Sequence, residues 1–169
     1  MISYFTYLAM LLTTFLGVFF GGILALIAPE ELKAGEKSWQ IMRYVFVLLM
    51  IIAVFYYSAK YSNMVTAILI SAALVFLKLA NWEYPAFAFV LFFSSISQDF
   101  LITTASLIFI YGLFTGTLSS KSFLVSKLNK YKRISLKEIK LKNIFLGILK
   151  SNILYLIFGV ILLPFLAYL

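Results

Sequence analysis

A cluster of hydroxyl, amide and carboxyl side chains in the middle of the chain is the strongest candidate for chemistry. Asp99 is its single acid, and polar residues flank it on both sides. An ionisable side chain among membrane-spanning segments usually serves a function, so the cluster predicts a small polar cavity that binds a cation, a proton or a basic ligand group. The position of Asp99 just before a predicted helix favours the other interpretation, that it caps this helix at the membrane interface. The candidate cavity residues are Ser94, Ser95, Gln98, Asp99, Thr103 and Thr104.

Familiar catalytic motifs are missing from the sequence. It contains no histidine and no cysteine, which removes imidazole bases, thiolate nucleophiles and most transition-metal sites. It has six acidic residues in total, and it lacks the patterns typical of zinc proteases, serine hydrolases and phosphate-binding loops. We therefore predict a protein that is not an enzyme and holds no cofactor or metal. A lipid-modifying membrane enzyme is a minor alternative.

Two glycine pairs with G-x-x-x-G spacing form a second group of candidate residues. Each pair leaves a flat stripe on one face of a helix, and such stripes let helix backbones approach closely inside lipid. The simplest interpretation is packing between two helices of one chain. The alternatives are a homodimer interface, a contact with another membrane protein, or a glycine-lined substrate path. The four residues are Gly17, Gly21, Gly112 and Gly116.

Basic residues concentrate between Ser119 and Lys150, where Glu138 is the only acid. This pattern predicts a cytoplasmic loop that orients the chain by the positive-inside rule and attracts anionic lipid headgroups. The same rule explains the formal net charge of +8, so we expect no nucleic-acid binding. The candidate headgroup-binding residues are Lys127, Lys130, Lys132, Arg133, Lys137 and Lys140.

The elements that position these groups are predicted to be membrane-spanning helices. Hydrophobic residues make up 64% of the 169 positions and charged residues 12%, against roughly half and a quarter in soluble domains. Apolar runs of about 20 residues, the length that crosses a bilayer, alternate with short polar breaks. The sequence therefore predicts an all-α, polytopic bundle that forms a single domain over residues 1–169. About six helices are expected, over 2–28, 40–59, 64–79, 85–97, 100–118 and 151–169.

The fourth of these helices is short. Its roughly 13 residues rise about 20 Å, whereas the hydrocarbon core of a bilayer is ~30 Å thick. A re-entrant hairpin is the alternative to a crossing. With six crossings, all but one of the 14 basic residues fall on one side, whereas omission of this helix divides them between both sides. The charge pattern therefore favours a short true crossing. It predicts a multi-pass protein of the cell membrane with both termini outside and the loop 119–150 in the cytosol.

Two segments, Ile27–Gly35 with the sequence I-A-P-E-E-L-K-A-G and Ile110–Leu118, resemble a group of small, uncharacterised multi-helix archaeal membrane proteins. The resemblance implies a multi-helix membrane architecture and no particular activity. Two function classes remain. A small transporter or permease-like subunit is favoured by the polar cluster around Asp99. The alternative is a non-catalytic scaffold or assembly partner that packs through the glycine stripes.

Overall fold

A computed structural model describes residues 2–27, 35–60, 68, 71, 83–130 and 141–168. This part of the chain contains five α-helices and a final 3₁₀ helix, which confirms the all-α prediction there. The predicted count of six is not supported, because the predicted helix 64–79 lies outside the described residues except at positions 68 and 71. The helices are α1 (Tyr4–Ile27), α2 (Glu36–Lys60), α3 (Glu83–Ser94), α4 (Gln98–Lys130) and α5 (Leu141–Leu162), followed by the 3₁₀ helix Leu163–Tyr168.

Three of these helices are long and apolar enough to cross a membrane. The candidate spans are Tyr4–Ala25 in α1, Glu36–Lys60 in α2 and Gln98–Ser120 in α4. A shorter apolar segment, Asn152–Ala167, covers the end of α5 and most of the 3₁₀ helix. Their length and composition are consistent with the predicted membrane location.

Two serines cap helices at the same end of the bundle. The Ser3 hydroxyl accepts a hydrogen bond from the Thr6 N–H at 3.1 Å, and the Ser97 hydroxyl accepts one from the Phe100 N–H at 3.3 Å. The prediction that Asp99 caps the helix is therefore wrong. Because α4 begins at Gln98, Asp99 lies inside its first turn, where a carboxylate interacts favourably with the positive end of the helix dipole.

Ser97→Ala is expected to destabilise the protein by about 1 kcal/mol, because an N–H of the first turn of α4 loses its acceptor. Asp99→Asn keeps that cap and removes only a dipole interaction at an exposed position, so its cost is expected to be smaller, about 0.5 kcal/mol. Thermal unfolding of the detergent-solubilised protein measures both changes. A larger loss in Asp99→Asn than in Ser97→Ala would contradict this assignment of the cap.

The predicted basic loop 119–150 is mostly helical. α4 continues through the predicted end at Leu118 and stops at Lys130, and α5 already begins at Leu141. Lysines end a membrane span but do not end a helix, since lysine is a good helix former. No glycine or proline interrupts residues 117–130. Only residues 131–140 of the predicted loop lie outside the described part of the chain.

α5 ends earlier than the predicted helix 151–169. The α-helix stops at Leu162 and the chain continues as the 3₁₀ helix. Pro164 explains the change, because its ring removes an N–H donor and disfavours α-helical geometry at the preceding residue.

α1 and α4 form the centre of the bundle and run parallel to each other. Gly17 lies against the backbone of Phe109, and Gly21 lies against the backbone of Leu113, so the two helices advance in the same direction. α4 therefore begins at the same end of the bundle as α1. We call this end the N-terminal face.

α2 and α5 run in the opposite direction. Tyr111 of α4 contacts Arg43, near the start of α2, whereas Thr103 contacts Tyr57, near its end. α2 therefore begins at the end opposite the N-terminal face, and so does α5, whose hydrogen bonds to α1 follow in antiparallel order. We call this second end the basic face, because the lysine-rich end of α4 also lies there.

α3 covers only part of the bundle. Its 12 residues rise about 18 Å. The helix begins with Tyr84 beside Thr14, near the middle of α1, and runs to the N-terminal face, where Ser97 and Ser3 line one cavity. The length of α3 therefore does not support the predicted full crossing by residues 85–97. It matches the alternative of a re-entrant hairpin.

Candidate functional site

The predicted polar cluster divides into buried and exposed residues. Ser94 and Ser95 are buried at the end of α3, and both hydroxyls donate to the carbonyl oxygen of Leu91, at 2.7 and 3.2 Å. These bonds are local to the helix. Gln98 and Asp99, by contrast, are exposed at the start of α4. The carboxylate therefore lies at the surface of the bundle and not in its interior.

The two threonines of the cluster lie deeper in α4. The Thr103 hydroxyl donates to the carbonyl of Asp99 at 2.8 Å and lies 3.2 Å from the Tyr57 hydroxyl. Thr104 is 1% exposed, and within the described residues its hydroxyl has no hydrogen-bond partner. Buried polar groups are nearly always paired, so this hydroxyl is able to accept or donate a further hydrogen bond.

A cavity of about 280 Å³ opens at the N-terminal face, between the start of α1 and the turn that joins α3 to α4. Of the residues predicted to form a polar cavity, Gln98 lies in the wall of this cavity. Thr6, another wall residue, directly precedes the buried Tyr7 in α1. The cavity lining consists of Ile2, Ser3, Thr6, Ile96, Ser97 and Gln98.

The glycine stripes of α1 and α4 pack against each other within one chain. A β-carbon at Gly17 would overlap the Phe109 carbonyl, and one at Gly21 would overlap the Leu113 carbonyl. The stripe on α4 behaves in the same way, because a β-carbon at Gly116 would overlap a carbonyl of α1. Both stripes are therefore occupied by intramolecular contacts.

A group of buried hydroxyls that the sequence motifs did not reveal lies at the centre of the bundle. The side chains come from α1, α3, α4 and α5, and each is at most 4% exposed. We call them the hydroxyl line. Its members are Tyr7, Thr14, Tyr84, Tyr111 and Tyr155.

Thr14 is the central member of the hydroxyl line. Its hydroxyl donates to the backbone of α1, with the Met10 and Leu11 carbonyls at 2.9 and 2.8 Å. Because a hydroxyl has one proton, the short hydrogen bond between Thr14 and Tyr155 is donated by the tyrosine. The Tyr84 hydroxyl donates to the Thr14 carbonyl at 3.4 Å. One residue of α1 thus receives hydrogen bonds from both α3 and α5.

The remaining tyrosines extend the line toward both faces. The Tyr7 hydroxyl donates to the Gly159 carbonyl at 3.3 Å, on the side of the N-terminal face. Toward the basic face, the Tyr84 ring centroid lies 6.5 Å from that of Tyr111. Gly112 makes room for this contact, since a β-carbon there would lie 3.0 Å from the Tyr84 hydroxyl.

Arg43 lies at the end of the hydroxyl line nearest the basic face. Its Nε and Nη2 atoms both donate to the Tyr111 hydroxyl, at 3.2 and 3.1 Å, and the guanidinium carbon lies 5.5 Å from the centroid of the Tyr111 ring. The side chain is half-buried, and it is about 10 Å along α2 from Glu36. Of the basic residues in the three candidate spans, Arg43 is the one that does not lie near the end of a span.

The sequence contained a signal for this site. Tyr7 and Thr14 are seven residues apart, as are Thr104 and Tyr111, and residues at that spacing share one face of a helix. Tyrosine is also common at the membrane interface, so this spacing alone does not place the tyrosines in the interior of the bundle. The partners of Tyr155 and Tyr84 could not be found in this way, because they lie on other helices.

Two of the predicted headgroup-binding residues, Lys127 and Lys130, lie in α4 beyond the apolar segment that ends at Ser120. This position is compatible with the headgroup region at the basic face. The other predicted residues lie outside the described part of the chain. They are Lys132, Arg133, Lys137 and Lys140.

In the residues that the structure describes, no group of three or more histidine, cysteine or acidic side chains could hold a metal ion. No family model matches the chain, and searches of curated proteins and solved structures found no match either. The function is therefore inferred from the geometry of the helix bundle alone.

Proposed function

We propose that this protein is a small transporter or permease-like subunit of the cell membrane, in which a polar solute passes along the hydroxyl line. The observation that carries the proposal is the burial of hydroxyl groups from four helices near the middle of the bundle. A bundle that only had to pack in lipid could fill the same space with phenylalanine, which needs no hydrogen-bond partner. Polar groups at this depth are typical of substrate paths.

The orientation proposed from the charge pattern puts the basic face in the cytosol and the N-terminal face outside. The cavity beside Thr6 then forms the outer mouth of the route, and Arg43 lies toward its inner end. Asp99 is exposed near the outer mouth. It could contact solutes there, but it would not form part of a binding site inside the bundle. α3 extends over only part of the bundle, like the discontinuous helices from which many carriers build their substrate sites.

The alternative, a membrane scaffold, depends on a packing face that another protein can reach. The glycine stripes were the proposed face, and both are occupied by the contact between α1 and α4. The geometry therefore favours the transporter. We propose that Lys127 and Lys130 contact anionic headgroups at the basic face, which would orient the protein but would not take part in transport.

Tyr155→Phe in proteoliposomes tests the proposal. A panel of radiolabelled carboxylates, phosphate, amino acids, sugars and cations is offered to vesicles that contain the wild-type protein. For any solute taken up above the rate of empty vesicles, the variant is expected to lower the flux roughly tenfold, as loss of one buried hydrogen bond of about 1.4 kcal/mol implies. The loss arises because Thr14 no longer receives the tyrosine proton.

Tyr4→Phe is the matched control, because this tyrosine is 49% exposed on α1 and should leave the flux unchanged. Thermal unfolding identifies variants that have lost their fold. Two results would count against the proposal. One is that no solute of the panel is taken up faster than by empty vesicles, and the other is that the wild type and Tyr155→Phe show equal flux.

A further inference from the structure

We infer that the cavity at the N-terminal face binds a small neutral solute with several hydroxyl groups, a polyol or a monosaccharide. The inference rests on the proposed transport function, because it names the class of solute that enters at the outer mouth. The volume of about 280 Å³ lies just below the ~300 Å³ at which pockets for drug-sized ligands begin, so the occupant is a small molecule. The polar side chains of the wall are Ser3, Thr6, Ser97 and Gln98.

The chemistry of the wall is the first argument. Hydroxyl and amide side chains both donate and accept hydrogen bonds, as each hydroxyl group of a polyol does. Among the described residues that line the cavity, none is charged. The two remaining wall residues, Ile2 and Ile96, offer apolar surface for the C–H groups of such a solute. A neutral solute fits this wall better than an ion, because an ion loses hydration energy when it is enclosed without an opposite charge.

The hydrogen bonds at the cavity are the second argument. Exposed helix N-termini attract anions, but here a serine hydroxyl occupies that place at the start of both α1 and α4. The Thr6 N–H donates to Ser3 at 3.1 Å, and the Phe100 N–H donates to Ser97 at 3.3 Å. The hydroxyls of Ser3 and Thr6 share one hydrogen bond at 2.8 Å, which leaves one proton of the pair to donate to a ligand. The Ser97 proton and the Gln98 amide add further donors and an acceptor.

The charges around the cavity are the third argument. Asp99 lies in the first turn of α4 and Lys60 in the last turn of α2, so both are at this face, and neither lines the cavity. Their charges are opposite, and the face therefore favours neither a cation nor an anion. Deeper in the bundle, the residue after Thr6 is Tyr7, the first member of the hydroxyl line. A solute that is recognised through its hydroxyl groups at the mouth meets the same kind of group along the proposed route.

Protection of an introduced thiol tests the site in detergent, without any transport step. The chain has no cysteine, so Ile96→Cys places a single thiol in the wall, at a position that is 37% exposed, and keeps every polar side chain of the cavity. Glycerol, glucose and inositol are the probes. At about ten times its Kd, one of them is expected to slow maleimide labelling about tenfold, because the thiol reacts only in the unoccupied protein. Ala167→Cys is the matched control, exposed at the same face but outside the wall, and its labelling rate should not change.

Two variants in the Ile96→Cys background identify the groups that bind. Gln98→Ala removes the amide from the wall and should raise the probe concentration for half-protection about fivefold, as the loss of one hydrogen bond implies. Asp99→Asn alters the neighbouring residue, which lies outside the wall, and should leave that concentration unchanged. If Ile96→Cys does not fold, Ile2→Cys replaces it, because this wall position also contributes no polar side chain.

Charged probes supply the opposing test. Sodium acetate and choline chloride, at constant ionic strength, should not protect the thiol. Protection by one of these salts and by no polyol overturns the inference, as does equal slowing of Ile96→Cys and Ala167→Cys. An effect of Asp99→Asn as large as that of Gln98→Ala, or no protection by any probe, overturns it as well. Uptake of another solute that depends on Tyr155 would then still support the transport function, whereas protection without uptake would support the site and count against transport.

Discussion

Gly21→Ala is expected to destabilise the bundle by about 3 kcal/mol or more, because the added methyl group would overlap the Leu113 carbonyl oxygen. A carbonyl in the middle of a helix is fixed by its own hydrogen bond, so it has no alternative rotamer. The overlap can be relieved only if α1 and α4 separate. Thermal unfolding in detergent should therefore show a large fall in Tm or a failure to recover folded protein.

Two matched variants separate this effect from the general cost of a methyl group. The atoms nearest to a β-carbon at Gly159 belong to the side chain of Leu11, which can change its rotamer more easily than a helix backbone can move, so Gly159→Ala should cost about 1 kcal/mol. Ala9→Val adds methyl groups to an exposed position of α1 and should be nearly neutral. Similar losses in Gly21→Ala and Ala9→Val would show that close packing of α1 on α4 does not hold the bundle together.

The glycine contact and the hydroxyl line depend on each other. Tyr84 donates to the Thr14 carbonyl at 3.4 Å, and its hydroxyl fits beside Gly112 because that residue has no side chain. Separation of α1 from α4 would pull the Thr14 carbonyl away from this arrangement. We therefore regard the small residues of the two stripes as the feature that brings the polar groups of the bundle within reach of each other.

The spans could be predicted from the sequence because they depend on a local property, the length of an apolar run. The first predicted helix, 2–28, and α1 differ by only a few residues, and Gln98–Ser120 covers the predicted helix 100–118. The ends of helices were predicted less well. Residues 119–130 were assigned to a loop on account of their charge, whereas a helix depends on backbone hydrogen bonds that lysine does not disturb.

The candidate site depends on contacts between distant parts of the chain, and the sequence predicted it poorly. Asp99 attracted attention because a carboxylate is rare in an apolar sequence, yet it is exposed at the start of α4. Tyr155 contacts Thr14 across 141 positions of sequence, and no local pattern reports such a pair. The features of the site visible in the sequence itself are local ones, the seven-residue spacing of hydroxyl side chains on α1 and α4 and an arginine, Arg43, within an apolar run.

Single cysteines introduced into the chain are expected to fall into two classes with opposite accessibility. The chain contains no cysteine, so a membrane-impermeant maleimide reports only the introduced thiol. Ser3→Cys and Ala167→Cys lie at exposed positions of the N-terminal face and should react in intact cells. Ser38→Cys, exposed at the start of α2, and Ser126→Cys in the lysine-rich end of α4 should react only after lysis, because the proposed orientation puts the basic face in the cytosol.

The pattern of labelling distinguishes the bundle from its orientation in the membrane. α1 starts and α5 ends at the N-terminal face, because Tyr155 pairs with Thr14 and Gly159 with Tyr7 in antiparallel order. Ser3→Cys and Ala167→Cys must therefore agree with each other in either orientation. Reaction of both only after lysis would reverse the proposed orientation and leave the bundle intact. Reaction of one without the other would contradict the packing of α5 on α1, and with it the contact between Tyr155 and Thr14 on which the proposed route depends.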